Sequence, residues 1–144
     1  MVAPMILRGP GVRRRGETSD QYMTVMDLAP TFLEIAGGHY PEDKRPMLGE
    51  SATRFLAGRA DRVHGDDYVT TLNYQQRSFV RQGPWKLLTL EQPFDERDFE
   101  LYNLDEDPGE TTDLSNKYSA KRAEMLALWR RERRKLGIVL PEDL

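Results

Sequence analysis

The stretch Arg77-Ser78-Phe79-Val80-Arg81-Gln82-Gly83-Pro84-Trp85-Lys86-Leu87-Leu88 decides the fold of this chain. Two short runs with alternating character flank a Gly-Pro pair. That pattern predicts two antiparallel strands, Arg77 to Gln82 and Trp85 to Leu90, joined by a tight turn. On the second strand, Trp85 and Leu87 point one way, and Lys86 and Leu88 the other. The same period of two recurs at Tyr68 to Leu72 and at Phe99 to Leu104, giving four strands in all. Asp105 to Glu110 holds an Asp-Pro-Gly turn. Ser119 to Leu136 then reads as a long helix with Ser119 as its N-cap. Met125, Trp129 and Leu136 recur on one face, with Tyr118 just before it, and Gly137 closes it.

Upstream of the sheet the pattern differs. Val2 to Leu7 is a short apolar run of the kind found in buried parallel strands. Gly9, Pro10 and Gly11 end it, and Arg13, Arg14 and Arg15 follow as an exposed basic turn. Tyr22 to Gly38 predicts a helix, with Asp27 as cap, Pro30 in the first turn and Gly37-Gly38 at the end. Leu28, Phe32, Leu33, Ile35 and Ala36 supply its apolar face. Ser51 is expected to cap a short helix carrying Phe55 and Leu56, closed by Gly58. The chain therefore divides near residues 58–66. The expected domains are 1–65, strand and helices, and 66–144, a small antiparallel sheet with a long helix. The fold class is α/β overall and α+β locally.

The chain has 144 residues, a net charge of -3, no cysteine and two histidines, His39 and His64. Without cysteine, disulfides, thiolate metal sites and a cysteine nucleophile are excluded. No apolar run reaches the ~20 residues of a membrane span. Pro4 and Arg8 interrupt the apolar start, and no signal-peptide pattern follows. If Met1 is the true start, the chain is expected to be cytoplasmic. Leu, Ile, Val and Phe make up barely more than a fifth of the residues, so the core is expected to be thin.

Candidate chemistry is sparse. Arg130, Arg131, Arg133, Arg134 and Lys135 could meet an anion, but cations near a helix C-terminus also complement the helix dipole. Residues 91–113 carry ten carboxylates against one arginine, and no nucleic-acid partner is expected. Asp66-Asp67 beside His64 could help hold a hard metal ion. Consecutive carboxylates on an extended chain point to opposite faces, however, and no second cluster has matching spacing. Asp105, Glu106, Asp107 and Glu110 lack the calcium-loop order, because Pro108-Gly109 falls in the wrong place. They are expected to form a turn in which Asp107 binds local N–H groups. Gly9, Gly11 and Gly16 do not open a helix as a dinucleotide fingerprint would. Ser19, Ser51, Ser78, Ser115 and Ser119 lack a nucleophile-elbow context. No self-sufficient catalytic constellation is present, and no catalytic, cofactor-binding or metal residue is assigned.

Four stretches in order resemble the C-terminal part of the sulfatase family, in particular bacterial arylsulfatases. They are Val2 to Gly11, Thr24 to Gly37 (TVMDLAPTFLEIAG), Arg77 to Leu88, and Glu100 to Leu104 running into Asp107 to Leu114. The resemblance covers almost the whole chain. It implies that residues 1–65 are the last strand and helices of an alkaline-phosphatase-like domain, and that residues from 66 onward are the small C-terminal subdomain. It also implies a parent reaction of sulfate ester hydrolysis. In that chemistry a Cys or Ser in Cys/Ser-x-Pro-x-Arg becomes formylglycine, and calcium polarises the sulfate. No serine here begins such a motif, and Asp66-Asp67 is in the wrong place to be the family's metal pair. Calcium and formylglycine are therefore expected only in the complete enzyme. His64 to Tyr74 is a candidate for the rim of the cleft. The expected partner is a separate catalytic chain, or a second copy meeting at a sheet edge near Val2 to Leu7. The alternative is a free-standing, non-enzymatic binding module that reuses this subdomain.

Overall fold

The computed structural model describes residues 3–140 and Asp143. Two compact units result, Met1–Gly65 and Asp66–Leu144.

The first unit contains no strand among its described residues. Ala3 to Leu7 is irregular, which corrects the strand expected over Val2 to Leu7 (Met1 and Val2 lie outside the described residues). The reason is the backbone. A buried strand needs ladder partners for its N–H and C=O groups, and no strand of this unit offers them. Ile6 is 96% exposed, while Leu7 turns in against the short helix. A 3-10 turn, Val25–Asp27, leads into α1, Leu28–Ile35. The helix α2, Thr53–Leu56, follows. Ser51 Oγ accepts the Thr53 N–H at 3.3 Å, but Ala52, not the expected Ser51, occupies the N-cap position, and no side chain caps the helix there. Ala52, Phe55 and Leu56 are buried, with Leu7, Met23 and Val63 packed on them.

The basic turn is only partly exposed. Arg14 donates to Phe55 O at 3.1 Å and to Ala60 O at 3.2 Å, and its guanidinium lies 4.6 Å from the Phe55 ring centre. It thereby ties the basic turn to α2 and to the segment that follows it.

The second unit is a meander, β1 Val69–Tyr74, β2 Arg77–Gln82, β3 Trp85–Thr89 and β4 Glu100–Asn103, antiparallel and in the order β1-β2-β3-β4. Gly83, at φ +54 ahead of Pro84, suits the two-residue turn between β2 and β3. Val80, Leu87 and Leu101 face each other across β2, β3 and β4, and all three are fully buried.

The helix α3, Ser119–Leu136, contacts β1, β2 and β3. It contributes Met125, Leu128 and Trp129 to the core. Trp129 stacks on Phe94 at 5.3 Å and meets Phe99 edge-on at 5.2 Å. Tyr118 rather than Ser119 occupies the N-cap position, and no side chain caps the helix there. Gly137, at φ +70, ends it, and Ile138 N–H closes back to Arg133 O at 3.0 Å.

Candidate functional site

The most organised polar cluster among the described residues lies in the first unit, centred on Asp27. Asp27 was expected to cap the following helix, but it makes no side-chain cap bond to α1. Its carboxylate turns back instead. Oδ2 accepts the Thr24 N–H at 2.6 Å and the Thr24 hydroxyl at 3.2 Å. Oδ1 accepts the Glu50 N–H at 2.9 Å. The Asp27 carbonyl accepts the Thr31 hydroxyl at 2.6 Å, and Thr31 Oγ1 in turn accepts the Ala52 N–H at 2.9 Å. Asp27 is fully buried. Burial of a carboxylate is tolerable only when donors surround it, and here Thr24, just ahead of the 3-10 turn, and Glu50 supply them.

His64 completes the cluster. Its Nε2 lies 3.0 Å from Asp27 Oδ2, and its Nδ1 lies 2.9 Å from Glu50 Oε2. Tyr22 packs beside the ring at 5.9 Å between centres. His64 is therefore a built-in member of a network, not a lone histidine. Its partners lie 37 and 14 residues away in sequence, which is why local spacing does not reveal them. The two ring nitrogens face opposite carboxylates, so the donors do not converge on one point. Among the described residues no group of three or more His, Asp or Glu side chains is placed to hold a metal ion.

The other candidates take structural positions. Asp66 and Asp67 lie in an exposed turn ahead of β1. Asp107 accepts the Thr111 and Thr112 N–H groups at 2.7 and 2.9 Å, as its turn role requires. Those bonds, the Thr112 one foremost, hold its carboxyl below the ordinary range. Glu110 pairs with Lys86, Nζ to Oε1 2.7 Å. The basic run of α3 is largely matched by carboxylates. Arg130 pairs with Glu96 and Arg133 with Asp143, and Arg131 reaches Glu132 at 3.0 Å.

Comparison with known proteins adds the family. The profile described as "N-sulphoglucosamine sulphohydrolase, C-terminal" matches residues 1–134. This chain belongs to the sulfatase family, as a C-terminal portion. It is 28% identical to an uncharacterized sulfatase of Schizosaccharomyces pombe, over 97% of this chain and 26% of that protein. It is 29% identical to an N-acetylglucosamine-6-O-sulfatase of Bacteroides thetaiotaomicron, over 87% of this chain and 24% of the relative. The crystal structure of a candidate sulfatase from the same bacterium superposes with a TM-score of 0.65 at 27% identity. It covers 88% of this chain and 28% of that one. The sulfatase chain thus spans about a quarter of the length of these relatives. The α/β class and the sheet-plus-helix architecture expected from sequence agree with these neighbours.

Proposed function

We propose that this chain is the C-terminal segment of an arylsulfatase-type sulfuric ester hydrolase and supplies no group that touches the sulfate. In the parent reaction, formylglycine would provide the nucleophilic diol and calcium would stabilise charge on the sulfate. The residues present do not fit either group. Formylglycine needs a Cys or Ser followed by x-Pro-x-Arg, which the sequence lacks. Calcium needs several converging oxygens, whereas Asp27, Glu50, Asp107 and Glu110 are committed to the pairs described above. Both groups are therefore assigned to a catalytic portion outside this sequence, and the 144-residue chain is expected to be inactive alone.

One observation carries this reading. The first unit leaves Ile6 at 96%, Val25 at 80%, Phe32 at 59% and Ile35 at 65% exposure. Large apolar side chains left that exposed are available to a partner. We assign the partner to the catalytic portion of a sulfatase, carried on the same or a separate chain.

The test is an assay of the purified chain on a chromogenic aryl sulfate, with and without the catalytic portion of a homologous sulfatase. Hydrolysis at the buffer rate alone, with physical association when the portion is added, is the expected result. Turnover far above the blank by this chain alone would overturn it. The second reading, a free-standing module, is favoured by the closed core of the second unit around Trp129. It predicts a monodisperse chain that ignores the added catalytic portion.

A further inference from the structure

The sheet of the second unit has two faces. Val80, Leu87 and Leu101 point into the core, and Thr71 stands beside Val80 on that side. Side chains alternate along a strand, so Leu72 and Tyr74 of β1 point to the other face. There Leu72 stands opposite Phe79, and Tyr74 opposite Arg77. Phe79 in turn stands opposite Leu88. Directly opposed residues lie about 4.5–5.5 Å apart at Cβ, so these side chains are immediate neighbours. Leu90 follows two residues after Leu88. Leu72 is 53% exposed, and Tyr74 and Leu90 are each 63% exposed. Single exposed apolar residues are ordinary, but neighbours sharing one face form a patch.

The charges beside the patch decide what covers it. Arg77 is exposed next to Tyr74, and Glu91 is exposed directly after Leu90. Among the described residues neither has an ion-pair partner. A covering surface must bring a carboxylate to Arg77 and a cation to Glu91, because burying an unpaired charge is costly. This chain carries both, set around the same apolar row. In a two-fold contact the same patch meets itself, so that one residue meets another and the reverse pair forms as well. Such a contact places Arg77 of each copy against Glu91 of the other, with the apolar rows between them.

We propose that the outer face of β1 and β2 is a self-complementary dimerisation surface, closed by a second copy of this chain. Leu72, Tyr74 and Leu90 form its apolar centre, and Arg77 and Glu91 pair across the two-fold axis. The surface belongs to the second unit, so it stands apart from the catalytic partner assigned to the first.

The experiment is sedimentation equilibrium of the full 144-residue chain over a wide concentration range. A reversible monomer–dimer equilibrium is expected, and a chain that stays monomeric throughout overturns the proposal. Leu72→Glu should weaken the dimer about tenfold or more, while Phe32→Ser on α1 leaves it unchanged. A dimer lost with Phe32→Ser and kept with Leu72→Glu lies on the first unit and overturns the proposal. Arg77→Glu and Glu91→Arg should each weaken the dimer about tenfold by setting like charges opposite one another. The double variant, with the charges exchanged, should restore it, and failure to do so overturns the two-fold contact. Both charge variants change exposed side chains, so they decide the matter even where Leu72→Glu does not fold. Protection of the Leu72 and Tyr74 amides by an added sulfatase catalytic portion, with no dimer in its absence, gives the surface to that portion and overturns the proposal.

Discussion

Gly49 has no room for a side chain. A Cβ built on it would sit 2.2 Å from the Met26 carbonyl oxygen and 2.6 Å from the Asp27 nitrogen. Both neighbours are backbone, so neither can swing aside. Gly49→Ala should therefore cost about 2–3 kcal/mol, read as a fall in the urea midpoint of the first unit by the amide signals of Glu50 and Ala52. A cost below about 0.5 kcal/mol would mean that the 49–52 segment does not lie on Met26. The same close approach explains the reach of Asp27, because only a bare backbone brings the Glu50 N–H within 2.9 Å of its carboxylate. Sequence reading finds Asp27 and gives it the wrong bonds. The Asp-Leu-x-Pro pattern announces a helix start, and the carboxylate was expected to serve that helix. What the local pattern lacks is the destination, Glu50 and His64, which only folding brings near. His64 is missed for the same reason. No residue type next to it signals a partner 37 positions away.

At the scale of elements, the sheet was legible and the first apolar run was not. Period-two alternation between turn residues reports a half-buried strand directly. Accordingly β2 spans the expected Arg77–Gln82, and β1, β3 and β4 differ only at their ends. Val2 to Leu7 has the apolar composition of a strand, but composition carries no information about whether a ladder partner exists. Gln75 and Gln76 join β1 to β2 with φ values of +50 and +65, the left-handed conformation that Asn and Gly adopt more readily. The Gln75 carbonyl accepts from Gln92 Nε2 at 2.6 Å, a bond that any residue at this position can make. Gln75→Asn should therefore stabilise the second unit by about 0.5 kcal/mol, seen as a higher urea midpoint. Gln76→Gly should gain less, because the Gln76 side chain accepts the Phe94 N–H at 3.1 Å; an equal or larger gain would discount that bond.

The outer edge of β4 gives a pH prediction. Its Leu101 N–H donates to Asp113 Oδ1 at 3.0 Å and to Ser115 Oγ at 3.1 Å, while Leu114 N–H donates to Leu101 O at 2.8 Å. These bonds cover an edge that would otherwise be open to another strand. Burial alone would raise the Asp113 carboxyl. Bonds from the Ser115 hydroxyl and from the Leu101 and Ser115 N–H groups outweigh it and hold the group below its ordinary value. A carboxyl lowered in the folded state stabilises above its unfolded pKa, and that contribution is lost as pH falls through the folded value. Second-unit stability should therefore decline as pH drops below about 4. Asp113→Asn should flatten that decline by less than about 1 kcal/mol, since the group is exposed. Urea midpoints between neutral and acid pH measure it, and an unchanged slope would remove Asp113 from the account.

On the scale of the whole molecule, the thin core has a distribution as well as a size. Among the described residues, the second unit buries Val80, Leu87, Phe99, Leu101, Met125, Leu128, Trp129 and Leu140 in one cluster, while the first buries Ala52, Phe55 and Leu56 in its own. The first unit relies on polar groups such as Asp27, Thr31 and Arg14 where the second relies on apolar ones. Several of its large apolar side chains face outward, Phe32 and Ile35 on α1 among them. A side chain exposed in this chain contributes little to its stability, yet it would contribute to an interface. Phe32→Ser separates the two roles. Its urea midpoint should stay within about 0.5 kcal/mol of the parent chain. Binding of a hydrophobic dye, and association with a sulfatase catalytic portion, should both fall. If Phe32→Ser instead unfolds the first unit, the residue belongs to a core. If dye binding and association are both unchanged, the outward face of α1 is not the surface that meets a partner.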